Sequence, residues 1–255
     1  IFDGGSGTKA DPYRIATADQ LRAFAAAVNE EEHFAGEYIV LTADIDLAGR
    51  KWVPAGNAGA HCFSGIFDGQ NHNILRLRIG TEETPADYVA AGLFAYADGA
   101  IIRNVAIENA QINIKRTDSV RIYAGIVAGV MDKSEPGAGA LLTNCAVAGT
   151  VSASSKAWSK VGGIVGQSYD SVILNCSAHV DLTTVSVSGS ALAGGIVGLD
   201  GFSILANSYA MGSIYADAGV NAATIGGIAG MQAGVAGNNY SDMKLTSKNA
   251  TGDIG

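Results

Sequence analysis

The chain has 255 residues, 48% of them hydrophobic, which is enough apolar surface for an extended core and excludes a disordered chain. Its 34 glycines, 4 prolines and charged fraction of 16%, with aliphatics that are mostly Ile, Val, Leu and Ala, argue for turn-rich β structure and against a helical protein. Twenty-four acidic against 16 basic residues give a net charge of −8 without a Lys/Arg cluster to neutralise phosphates, so nucleic acid is excluded as a partner.

From the start of the chain, Ile1 to Gly7 carry no basic stretch followed by an apolar core, which leaves localisation open. Thr17-Ala18-Asp19-Gln20 then opens a segment in which Leu21, Phe24, Ala25 and Val28 recur at helical spacing, ending in the acidic run Glu30 to Glu32. This predicts one short amphipathic helix that caps the exposed end of a stacked core. YIVLTADIDLAG and FSGIFDGQNHNILRLRI read as strands with glycine turns, and the polar stretch Thr81 to Tyr88 as a loop. No run of about 18 apolar residues occurs anywhere, so no membrane-spanning segment is expected.

From Gly92 the sequence repeats itself in five copies, whose glycine positions Gly92, Gly125, Gly163, Gly195 and Gly227 lie 33, 38, 32 and 32 residues apart. A period of this size means a stacked array. Aligned, the copies form apolar columns: Leu93, Ile126, Ile164, Ile196 and Ile228; Ile102, Leu142, Ile173 and Leu205; Val151, Leu182, Ile214 and Leu245. Each copy offers three short apolar stretches, separated by Gly, Ser, Asp or Asn, without a helical span between them. The expected fold is all-β, a single-stranded parallel β-helix (solenoid) with three strands per coil, coils of about 32 residues and the short N-terminal capping helix. Residues 1–90 would hold the cap and first irregular coils and 91–255 the five regular repeats, in one continuous domain. Gly255 would then end on an open sheet edge that meets another domain or a cap.

Asn104, Asn144, Asn175, Asn207 and Asn238 form a further column at the end of the second apolar stretch. We expect an inward corner asparagine that bonds its own turn and stacks on the amide above. The competing reading is glycosylation, since Asn175-Cys176-Ser177, Asn239-Tyr240-Ser241 and Asn249-Ala250-Thr251 match the acceptor triplet. Leucine-rich repeats also stack asparagines, but the L-x-x-L-x-L-x-x-N spacing is missing.

The opening FDGGSGTKADPYRIATADQLRAF, the segment YIVLTADIDLAGRKWVPAG, FSGIFDGQNHNI and the recurring GGIVG units resemble bacterial GLUG-motif proteins across essentially the whole chain. The first two copies depart from the pattern, reading AGLFA and AGIVA. The resemblance implies a secreted or surface-anchored protein, extracellular or at the cell surface, often a β-helical part of a larger adhesin-like polypeptide. Some relatives are attached to immunoglobulin-A peptidase-type proteins. It implies no agreed catalytic residues.

The search for chemistry gives little. Asp44 and Asp46 share one face of a strand and could hold calcium or act as acid and base, but a solvent-facing strand side explains them as well. His61, Cys62, Asp68 and His72 are ligand types without ligand spacing, and His33 and His179 are isolated. Cys62, Cys145 and Cys176 make neither a disulfide framework nor a zinc pattern; Cys145 and Cys176 share a repeat column and read as ladder neighbours. No G-x-S-x-G elbow, phosphate loop or calcium-roll pattern is present. We therefore expect no catalytic residue, no metal and no cofactor.

Aromatic residues beside the glycine strand remain. Tyr96 and Tyr169 follow it, and Tyr123 and Trp158 precede it. Rings beside polar turns can stack on sugars or anchor a protein, which makes Tyr123, Trp158 and Tyr169 the candidate ligand contacts, with core packing as the alternative. Three functional readings follow. They are a non-enzymatic adhesin-like module binding a glycan or host protein, a polysaccharide lyase or glycoside hydrolase by fold analogy alone, and a structural stalk among further domains of a larger polypeptide.

Overall fold

The computed structural model describes residues 1–56, 61–132 and 139–248, and shows an all-β parallel solenoid of about six turns with coils of about 32 residues. One short helix stands near the N-terminus, Ala18–Asn29. It begins at Thr17 because the Thr17 hydroxyl accepts from Gln20 N–H while the Gln20 side chain accepts from the Thr17 N–H, satisfying two donors that a helix start leaves unpaired. The face made by Leu21, Phe24, Ala25 and Val28 is buried, as its spacing predicts. Phe24 lies among Phe34, Phe63, Phe67 and Phe94 at ring separations of 5.3 to 6.3 Å, so the first coils are closed by aromatic packing.

Among the described residues every strand pair is parallel, and four sheets run along the axis. We number them by one coil. Sheet 1 holds Ser159–Gly162, sheet 2 Val165–Tyr169, sheet 3 Val172–Leu174 and sheet 4 Ser177–Ser186. The expected three strands per coil are thus four. The glycine stretch bends at Gly163-Ile164, and its halves pair in separate sheets.

Two of the three apolar columns form ladders in register. Ile102, Leu142, Ile173 and Leu205 are successive partners in sheet 3, and Val151, Leu182, Ile214 and Leu245 in sheet 4. The column through Ile126 slips by one place. Val127 N–H donates to Ile164 O at 3.0 Å and Ala128 pairs with Val165, so Ile126 stands opposite Gly163. The AGIVA copy has one glycine where GGIVG has two, and Gly125 occupies the level of Gly162.

The asparagine column is a conformational device. Asn104, Asn144, Asn175, Asn207 and Asn238 all have φ between 53 and 55°, the left-handed region that Asn tolerates better than most residues. Against expectation, they point outward: Asn144, Asn175, Asn207 and Asn238 are exposed. The left-handed step turns the following residue inward, so Val105, Cys145, Cys176 and Ser208 are the buried ladder. Amide stacking occurs at the first two members, where Asn144 Nδ2 donates to Asn104 Oδ1 at 3.3 Å. Because the Asn175 side chain is exposed, its substitution isolates the backbone cost. Asn175→Val should lose about 1–2 kcal/mol in urea unfolding while Asn175→Gly stays near wild type; equal losses would contradict the conformational role.

Candidate functional site

The glycine motif builds a concavity on the outside of the solenoid. At Gly163 an added Cβ would lie 2.1 Å from Gly195 O of the next coil, and at Gly195 2.3 Å from Gly227 O. These glycines have no left-handed φ, so bare stacking distance requires them. The last glycine of GGIVG meets sheet 1 instead. A Cβ at Gly166 would lie 2.6 Å from Ala124 N, and one at Gly198 2.7 Å from Val161 N. Without side chains at these places, sheets 1 and 2 fold toward each other on their outer faces.

Outward residues that would ordinarily be exposed are therefore covered. Ala90, Ala95 and Val130 form a small apolar cluster apart from the main core, with Tyr96 and Tyr123 packed against it. Further along the same groove Leu192 and Leu199 are buried. Sheet 1 presents Tyr123 beside its register partner Lys160, and Trp158 one step outward beside Arg121. Sheet 2 presents the successive partners Tyr96, Val130, Gln167 and Leu199. Asp98, Asp132 and Tyr169 follow two residues further from the corner, at the rim.

Lys160 is the unusual member. Its side chain is outward yet only 4% exposed, and its Nζ donates across the corner to Gln167 Oε1. The ammonium stands 5.1 Å from the centre of the Tyr123 ring, and the Arg121 guanidinium stands 5.4 Å from that of Trp158. Burial first, and the Arg121 charge second, bring the Lys160 amine down to about 8. Among the described residues neither cation is paired with a carboxylate.

The structure places Tyr123, Trp158 and Tyr169 on the two walls of this one groove. Trp158 is 38% exposed and Tyr123 half-buried, while Tyr169 lies over Gly201, where an added Cβ would meet its ring at 2.4 Å. Lys160, Gln167 and Arg121 escaped the sequence reading. Their positions, two residues before Gly162, one after Gly166 and two before Tyr123, carry the same outward alternation as the aromatics.

The other candidates have structural occupations. Asp44 accepts from Asn73 N–H at 2.9 Å and from His72, and Asp46 is held by Arg76; these bonds keep both carboxyls below the usual range. Each ties one coil to the next. The set His61, Cys62, Asp68 and His72 is not brought together: Asp68 binds Arg103 and Asn104, His72 binds Asp44, and Cys62 is buried near His33. Cys145 and Cys176 are free thiols in the adjacent-coil positions that their column predicts. Asn239 is engaged, accepting from Ser208 N–H and donating to Leu205 O, whereas Asn175 is exposed. The Asn249 triplet and Gly255 lie outside the described residues.

Residues 159–185 match the family model of the GLUG motif, and this span covers Lys160, the glycine corner, Gln167 and Tyr169 in a single coil. The chain is thus a parallel β-helix that carries a GLUG motif in one of its coils. The chain is 32% identical over 135 residues to a protein of Evansella cellulosilytica described as a "Putative Gly-rich membrane protein", a match covering 52% of this chain and 15% of the relative. It spans a small part of that relative's length. Among solved structures it is similar to a "putative immunoglobulin A1 protease" from Bacteroides ovatus, with TM-score 0.62 and 22% identity over 97% of this chain and 87% of that one. At that identity the likeness is one of fold. No helix among the described residues is long and apolar enough to cross a membrane.

The buried amine makes a stability prediction. In the folded chain the charged form of Lys160 is disfavoured, so the penalty is full below about 8 and disappears once the unfolded chain also loses its proton, near the ordinary 10.5. Urea unfolding should show Lys160→Met more stable than wild type at pH 7, with the gap closing toward pH 10.5. A pH-independent gap would contradict burial of the charge.

Proposed function

We propose that this chain is a non-enzymatic, adhesin-like module of a larger extracellular or cell-surface polypeptide, and that it binds a glycan in the groove between sheets 1 and 2. The observation that carries the reading is the row of rings and polar groups, Trp158, Tyr123, Lys160, Gln167 and Tyr169, displayed across two walls whose floor is apolar. Sugars offer both an apolar ring face and hydroxyls, and such a surface meets both. A narrow corner suits a linear chain better than the broad face of a host protein.

The surface setting is supported by the GLUG motif and by similarity to proteins described as a "Putative Gly-rich membrane protein" and a "putative immunoglobulin A1 protease". Membership of a larger polypeptide is supported by the small share of the relative that the chain spans. We place the cap and first irregular coils in residues 1–90 and the regular repeats in 91–255.

A glycan array probed with the purified chain, followed by calorimetry on the strongest hit, tests the reading. Trp158→Ala, at an exposed position, should weaken binding by at least about tenfold with its unfolding midpoint held, and Tyr123→Leu, which keeps bulk against the apolar cluster, should weaken it by a similar factor, in the range expected for losing a ring–sugar contact. An empty array, or binding indifferent to both substitutions, would overturn it.

A further inference from the structure

On adjacent coils, Lys160 and Arg121 are near enough for the charge of one to act on the other, in a chain whose net charge is −8, and no described carboxylate answers either of them. Several other cations have carboxylate partners, Arg14 with Asp11, Arg76 with Asp46, Arg103 with Asp68, and Arg116 with Asp87 and Asp118, and what sets Lys160 apart from the unpaired remainder is its burial. An exposed unpaired arginine is ordinary, but Lys160 is covered, and burying an ammonium without an anion is costly. Its described partners are one amide oxygen and one ring, which leaves donor capacity on a group that has three hydrogens. The Arg121 fork is likewise engaged only through the Trp158 ring.

Resting on the glycan reading above, we infer that the groove selects an acidic saccharide: its carboxylate is received by Lys160 and Arg121 while the sugar rings lie on Tyr123 and Trp158. A carboxylate brings two oxygens, one for each cation, and its charge-assisted bonds are of the stronger kind. The neutral members of the groove, Gln167, Tyr96 and Tyr169, offer hydroxyl and amide partners to the rest of the sugar.

The test compares oligogalacturonate with its methyl ester, and sialyllactose with lactose, by calorimetry on the intact chain at pH 7 in low and high salt. We expect at least one acidic member to bind tenfold or more tightly than its uncharged counterpart, with the advantage shrinking in high salt. Arg121→Gln, at an exposed position that leaves folding intact, should remove most of that advantage, and Lys160→Gln should remove the rest. Equal binding of charged and uncharged members, with dependence on Tyr123 and Trp158 retained, would overturn the acidic preference and leave the glycan reading standing. Absence of binding by all four probes together with an empty glycan array would overturn both.

Discussion

The close stacking of backbone on backbone at the glycine corner is the constraint from which the rest of the molecule follows. Coils of a parallel solenoid repeat at about 4.8 Å, and at Gly163 and Gly195 the carbonyl of the next coil already occupies the space a Cβ would need. The chain therefore spends glycine where most proteins would place an apolar side chain. It recovers the lost burial one residue later, with Ile164, Ile196 and their equivalents turned into the core. The asparagines do complementary work at the opposite corner, where a left-handed residue reverses the side-chain alternation and hands the inward place to its successor.

The groove is a by-product of the same constraint. Because Gly166 and Gly198 let the second sheet approach the first, residues on the nominal outside become enclosed, and a lysine among them loses its water. That explains why one ammonium in a strongly acidic chain is held by an amide and an aromatic ring, and titrates in a range where lysines ordinarily stay charged. Stability and recognition are in tension at this position. An uncompensated buried charge weakens the fold, and an arriving anion would relieve it.

How far the molecule was legible from its sequence depends on whether a feature is set by near or distant residues. Leu21, Phe24, Ala25 and Val28 announce their helix through local spacing, and the Ile173 and Leu182 columns announce their sheets through repetition. The direction of the asparagines was misread because repetition is the same for an inward and an outward ladder; only the sign of φ separates them. The slip at Ile126 was hidden because one glycine can stand at the level of either member of a pair. Four strands were counted as three because the bend at Gly163 leaves no polar break in the apolar run.

The groove was half legible. Tyr123, Trp158 and Tyr169 stood out as aromatics beside the turn, but their convergence depends on the angle between two sheets, which no spacing encodes. Lys160 and Gln167 resembled ordinary solvent-facing residues, since burial of an outward side chain is a property of the concavity and not of the strand. Their alternation with Gly162 and Gly166 was the available signal, and it gains meaning only once the corner is known to fold outward.

The central claim, that the glycine corner closes a groove over a lysine amine, is tested most directly by a ¹³C-detected NMR titration of the lysine side chains. The account predicts that the Lys160 Cε signal, assigned by its loss in Lys160→Met, titrates near 8. A Lys160 signal that titrates at the ordinary lysine value of about 10.5 would show that its amine remains in water, and would contradict the enclosed groove.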